Sequence, residues 1–124
     1  MTKSDSTVCL LDDDPSVLAA TSRLLASEGW HVKTFTDPNA FLYDAKNRNP
    51  RVVVIDMWMP KMNGLDVQRR LRELSPATRV IVLTANDDTL VRWNALAAGA
   101  AAFFIKPVRA DTFVTSIRSA FATG

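Results

Sequence analysis

Two short runs decide most of what this chain can fold into: Val52-Val53-Val54-Ile55 and Val80-Ile81-Val82-Leu83. Neither alternates apolar with polar residues. Both are rich in β-branched side chains, which suit a pleated surface and are stiff in a helix. A strand that is apolar at every position is covered on both faces, as an interior strand of a parallel sheet is. Two such strands therefore demand a layer of helices on each side of one sheet.

The rest of the chain supplies those layers. Thr7-Val8-Cys9-Leu10-Leu11 reads as a first strand, His31 to Phe35 as a half-polar edge strand, and Ala102 to Ile105 as a fifth strand. Between the strands lie segments of helical period. Asp14-Pro15 and Asp37-Pro38 each place a capping carboxylate before a proline at the first helical position. Val17, Leu18, Thr21, Leu24 and Leu25 form one inward stripe, and Gly29 is a stop. Phe41, Leu42 and Ala45 form the second, ahead of a loop from Asn47 to Pro50. Val67, Leu71 and Leu74 form the third. The fourth helix, capped by Asp87 or Asp88 and stopped at Gly99, should turn Leu90, Val91, Asn94, Ala95 and Ala98 inward. Asp111 opens the fifth, with Phe113, Val114, Ile117 and Phe121 at core spacing. Five such units predict a single three-layer α/β/α sandwich with a five-stranded parallel sheet of order 2-1-3-4-5, a flavodoxin-like architecture. Its default ligand site is the crevice at the carboxyl ends of strands one and three.

Length and composition agree with one domain. The chain has 124 residues, 48% apolar and 23% charged. Residues 1–6 are expected to form a flexible N-terminal tail, and residues 7–122 the domain. The single cysteine, Cys9, excludes an internal disulfide and reads as a small buried hydrophobe. No apolar run approaches a membrane span or a signal-peptide core, so a cytoplasmic location is expected. Net charge is +2. The densest basic cluster, Arg69, Arg70 and Arg72, has no interleaved aromatics and reads as a solvated helix face, not a nucleic-acid patch.

The chemistry lies just beyond the strands. Asp12, Asp13 and Asp14 follow the first, Asp56 follows the third, Thr84 ends the fourth, and Lys106-Pro107 follows the fifth. In the predicted order these groups converge on one sheet edge. Three carboxylates at close range resist simultaneous ionisation, and a divalent cation relieves the repulsion; an all-oxygen set suits Mg²⁺. A carboxylate beside a metal and a lysine is the outline of a phosphoryl-transfer site, with a threonine hydroxyl as a further donor. Capping the first helix accounts fully for Asp14.

Four motifs in this order closely resemble the receiver domain family of response regulators, the CheY-like superfamily. They are Leu10-Leu11-Asp12-Asp13-Asp14-Pro15, Val54-Ile55-Asp56-Met57-Trp58-Met59-Pro60-Lys61-Met62-Asn63-Gly64, Leu83-Thr84-Ala85, and Ala98-Gly99-Ala100 through Phe104-Ile105-Lys106-Pro107. The resemblance runs from Val8 to about Phe121. It implies that Asp56 is the phosphoacceptor, which takes its phosphoryl group from a sensor histidine kinase or a phosphotransfer protein. It implies Mg²⁺ (with Mn²⁺ as a substitute) held by Asp13 and Asp56, by Asp12 through water, and by the Trp58 backbone carbonyl. Thr84, Ala85 and Lys106 would bind the phosphoryl group. Thr84 and Phe103 would form a switch, although an aromatic in a strand is also a core residue in its own right. The Lys106-Pro107 bond would be cis. Trp58 and Asn86 occupy positions that modulate acyl-phosphate lifetime; Trp58 would shield the group from water or dock a partner. The single histidine, His31, begins an edge strand away from the site and is no relay.

Ala101-Ala102 stands where OmpR-type receivers often carry an acidic pair. Phe35-Thr36-Asp37 to Phe41-Leu42 looks more like FixJ-type receivers, which usually continue into a helix-turn-helix output domain. The changed face, made of the fourth helix, fifth strand and fifth helix, would bind a second copy in a homodimer or control that output domain. Arg92, Trp93, Arg109 and Arg118 are candidates for the face. The implied role is transcriptional regulation by a phosphoacceptor that is not a turnover enzyme, with no direct nucleic-acid or membrane binding by this domain. The alternatives are a stand-alone receiver acting by protein–protein interaction and an aspartyl-phosphate phosphohydrolase. The second would follow its Asp-x-Asp after strand one with a threonine or valine, where Asp12-Asp13-Asp14 is followed by Pro15, and would need a cap domain, which these residues do not suggest.

Overall fold

A computed structural model describes residues 6–122. The expected tail falls almost wholly on residues 1–5, outside the described residues. The elements run β1 (Thr7–Leu11), α1 (Pro15–Ser27), β2 (His31–Phe35), α2 (Pro38–Arg48), β3 (Val52–Ile55), α3 (Gly64–Leu74), β4 (Arg79–Thr84), α4 (Thr89–Ala97), β5 (Ala102–Ile105) and α5 (Ala110–Ala122). All strand pairs are parallel, in the order β2-β1-β3-β4-β5. The α/β sandwich and the strand order are those expected.

The two uninterrupted apolar runs are the interior strands. Every residue of β3 is buried, and every residue of β4 after Arg79. Side chains alternate between the two faces. Cys9, Leu11, Val53, Ile55, Val80 and Val82 pack with Phe41, Leu42, Val67, Leu71 and Ala95 on the side of α2, α3 and α4. Val8, Leu10, Val52, Val54, Ile81 and Leu83 pack with Leu18, Leu25, Phe113 and Ile117 on the side of α1 and α5. Cys9 sits inside the first of these layers, and burial pushes its thiol up to about 11, with Asp44 adding to the effect.

Caps set the helix starts. Asp14, Asp37 and Asp88 each accept an N–H from the second helical residue, and Pro15 and Pro38 hold the first position. Gly29 follows α1 with φ +97°, a left-handed conformation that an L side chain resists. α2 runs into the predicted loop, as far as Arg48. Asn49, at φ 49°, ends it, because asparagine tolerates the left-handed region that closes a helix.

The fourth helix departs from expectation. Of the five residues assigned inward, only Ala95 is fully buried; Asn94 is exposed and Leu90 is 67% exposed. Apolar residues encircle this short helix, so its period contains two stripes. Val91, Ala95 and Ala98 take the inner one. Leu90, Trp93 (69% exposed) and Leu96 take the outer. α4 also lies toward the β5 edge, where every strand residue is only half-buried and less sheet is available to cover.

Candidate functional site

Parallel strands put all their carboxyl ends on one edge, and three of the central ones release an acid or a hydroxyl there. The extension of β3 is pinned first: the Asp56 N–H donates to the Leu11 carbonyl at 2.9 Å, and the Asp12 N–H donates to Phe35 at 3.2 Å. Asp12 and Asp56 are thereby held side by side, each only 6% exposed, while Asp13 points to solvent. One carboxylate oxygen from each of Asp12, Asp13 and Asp56 lies within 4.8 Å of the others. Three hard oxygen donors at that range could hold one small divalent cation.

Lys106 reaches the same place from β5. Its backbone N–H donates to the Thr84 carbonyl at 2.7 Å, and the Lys106–Pro107 peptide bond is cis. Its ammonium lies 2.7 Å from Asp12 Oδ2 and 3.9 Å from Asp56 Oδ1. The other oxygen of Asp12 accepts the Asp14 N–H at 3.0 Å. Both oxygens of Asp12 are thus engaged by the protein, whereas Asp13 has no protein partner among the described residues. Asp14 itself is spent on capping, accepting the Ser16 N–H and hydroxyl at 2.9 and 2.7 Å.

Asp56 carries an unusual proton affinity. Burial raises its carboxyl to about 6; Lys106 opposes the rise, Asp12 adds to it, the Trp58 N–H bond opposes it, and Asp13 adds slightly. That N–H donates to Asp56 Oδ1 at 3.3 Å. Oδ2 accepts no hydrogen bond among the described residues, so one oxygen is free to react.

The other predicted residues flank this centre. Thr84 is fully buried, and its hydroxyl accepts the Asn86 N–H at 3.4 Å. Ala85 and Asn86 are exposed, and the Trp58 side chain is 47% exposed at the rim. Phe103 is not part of the cluster. It lies within β5 opposite Val82, half-buried against the α2–α4 layer. His31 is exposed at the far end of edge strand β2, and Arg69, Arg70 and Arg72 are exposed on α3.

Two residues that close the Asp56 motif were given no structural role from sequence. Gly64 opens α3 with its N–H on the Met57 carbonyl at 2.9 Å. Asn63 caps that helix through the Asp66 N–H at 2.9 Å. The Asn-Gly pair ahead of an apolar period was the available signal. A cavity of about 550 Å³ lies at the opposite sheet edge. Its Ser75 and Thr78 hydroxyls are already bonded to each other, and Thr78 to the Pro50 carbonyl. The chemistry therefore belongs to the acidic edge.

A family model for the response regulator receiver domain matches residues 8–118. The chain belongs to that family. This receiver domain is 38% identical over 120 residues to the response regulator protein TmoT of Ectopseudomonas mendocina, covering 97% of this chain and 54% of that protein. It is 35% identical over 113 residues to the probable transcriptional regulatory protein TcrX of Mycobacterium tuberculosis, covering 91% and 48%. The chain spans about half the length of these curated relatives. Among solved structures, the beryllofluoride-activated NtrC4 receiver domain dimer superposes with a TM-score of 0.90 at 30% identity, covering 95% of this chain and 98% of that one. A receiver domain protein from Clostridium thermocellum gives 0.89 at 30% identity, covering 95% of each. No helix among the described residues is long and apolar enough to cross a membrane.

Proposed function

We propose that this receiver domain accepts a phosphoryl group on Asp56 from a sensor histidine kinase or a phosphotransfer protein. The observation that carries the reading is the meeting of Asp12, Asp13 and Asp56 within 4.8 Å beside the Lys106 ammonium. The unbonded Asp56 Oδ2 attacks the phosphorus of a phosphohistidine. An O–P bond forms as the P–N bond breaks, and the departing imidazole keeps the electron pair and takes up a proton. Mg²⁺, or Mn²⁺ in its place, would be held by Asp13 and Asp56, by Asp12 through water and by the Trp58 carbonyl, and would supply positive charge against the phosphoryl oxygens. Asp12 suits the water-mediated role because both its oxygens are engaged; Asp13 suits direct ligation because neither is.

Lys106 then exchanges Asp12 for a phosphoryl oxygen, and Thr84 swings its hydroxyl toward another, beside Ala85. The space that Thr84 leaves admits the Phe103 ring, and the face of α4, β5 and α5 repacks. Phosphorylation shifts a pre-existing equilibrium between two arrangements of that face. The repacked face pairs with a second copy or releases an output domain; relatives twice this length, some named as transcriptional regulators, support DNA-directed output. The FixJ-like stretch favours a helix-turn-helix for that output, and the domain works where a cytoplasmic kinase can reach it. It is a phosphoacceptor with slow self-dephosphorylation, not a turnover enzyme.

Incubation with Mg²⁺ and acetyl phosphate should add one phosphoryl mass to the wild type and none to Asp56→Asn. An adduct that survives in Asp56→Asn, or repeated turnover of the donor, would refute the assignment. Trp58 follows the acceptor by two residues, with its N–H on Asp56 Oδ1 at 3.3 Å, and in this reading its large indole shields the acyl phosphate from water. Trp58→Asn is accordingly expected to shorten the phosphoryl half-life several-fold in a chase after donor removal; an unchanged half-life makes Trp58 a docking residue instead.

A further inference from the structure

The guanidinium carbon of Arg92 lies 5.2 Å from the centroid of the Phe103 ring. This contact joins α4 to β5. Arg92 makes no ion pair among the described residues, so the ring is the one protein group set against its charge. Phe103 is half-buried, and Val91 of α4 and Ala100 of the α4–β5 connection pack against the same core layer. α4 itself is lightly held: only Ala95 is fully buried, and its carbonyl takes the Gln68 side-chain N–H at 2.8 Å. On a helix with so little buried surface, a cation–ring contact adds to the Val91 and Ala95 packing that fixes its position.

The geometry points to Arg92 as a positioning residue: a cation–π latch that holds the Phe103 ring, and α4 with it, in the resting arrangement. The inference rests on the phosphoacceptor reading, because the ring is released only when the phosphoryl group draws Thr84 away. A latch that favours the resting state opposes phosphoryl binding by linkage, so its removal should make the site bind a phosphoryl mimic more tightly. Cation–π pairs at partly exposed sites correspond to a shift of about two- to fivefold.

The test is a cycle of four chains: wild type, Arg92→Gln, Phe103→Leu and the double variant. Each is titrated with beryllofluoride in the presence of Mg²⁺, and the Kd is read by calorimetry. Arg92 is exposed and Phe103→Leu keeps an apolar side chain, so all four should fold. Arg92→Gln is expected to tighten binding about two- to fivefold in the presence of the ring and to have no effect on the Phe103→Leu background. Arg92→Lys, which keeps the cation, should restore most of the wild-type Kd. An equal effect of Arg92→Gln with and without the ring, or no effect at all, overturns the latch while leaving the phosphoacceptor reading intact. Failure of the wild type to bind beryllofluoride would overturn both.

Discussion

Gly64→Ala is expected to cost the domain at least about 2 kcal/mol, in the upper part of the range for overpacking. A Cβ at this position would sit 2.6 Å from the Met57 Cα and 2.7 Å from the Asp56 carbonyl oxygen. Both are backbone atoms, which cannot rotate aside as a side chain would. The first turn of α3 lies directly on the backbone of Asp56, the proposed acceptor, and the Gly64 N–H is bonded to the Met57 carbonyl. Relief of the clash must therefore move either the helix or the acceptor. Urea unfolding should show a clearly lowered midpoint, and phosphoryl labelling by acetyl phosphate should fall in the fraction that remains folded. A variant with an unaltered midpoint and full labelling would mean that this close approach is not a constraint. Gly64, the last residue of the motif that contains Asp56, thus has a steric reason: only a residue without a Cβ lets a helix begin against that backbone.

The second large effect is on pH dependence. Burial holds the Asp56 carboxyl at about 6, above its ordinary 3.8. Between those values the folded chain retains a proton that the unfolded chain has released. Its contribution to stability is fully present below the unfolded value and is lost as pH rises through the folded one. At neutral pH the fold carries an ionised, mostly buried carboxylate, with Asp12 and Asp13 nearby and Lys106 already bonded to Asp12. Asp56→Asn removes that charge in the same shape. The variant is expected to be more stable than wild type by about 1–2 kcal/mol in EDTA at neutral pH, after allowance for solvent at the open side of the site. The advantage should fade as pH falls toward about 4. Mg²⁺ should stabilise the wild type and not the variant, and so narrow the gap. Unfolding curves of the two chains that coincide in EDTA from about pH 4 to about pH 8 would remove the electrostatic argument.

How much of this was legible in the sequence depended on how each feature is encoded. The sheet was legible because β3 and β4 are covered on both faces, and such burial leaves no polar residue in the run. Four of the helices were legible because a single apolar stripe meets a large sheet surface. α4 was misread because Leu90, Val91, Trp93, Ala95 and Leu96 surround its axis, so the period alone could not choose the inner side. The converging acids and lysine could be listed from strand ends, since parallel order delivers every strand tip to one edge. Their pairing could not: whether Lys106 rests on Asp12 or on Asp56 is a matter of about an ångström in side-chain placement, which no spacing records. The contact between Arg92 and Phe103 was hidden for a similar reason. It depends on how α4 is rotated over the edge of the sheet, the very element whose period was ambiguous.

The hold of Lys106 on Asp12 has a consequence for how the molecule is assembled. Small domains built around a metal often fold only when the ion arrives, because bare ligands repel one another without it. Here an ammonium group supplied by the chain itself already offsets part of that repulsion, and the two hydrophobic layers close without help from the acidic edge. Folding and metal loading are therefore expected to be separate events: in EDTA the chain should still unfold as one cooperative unit, and added Mg²⁺ should change the readiness of the site to react, not whether the domain exists.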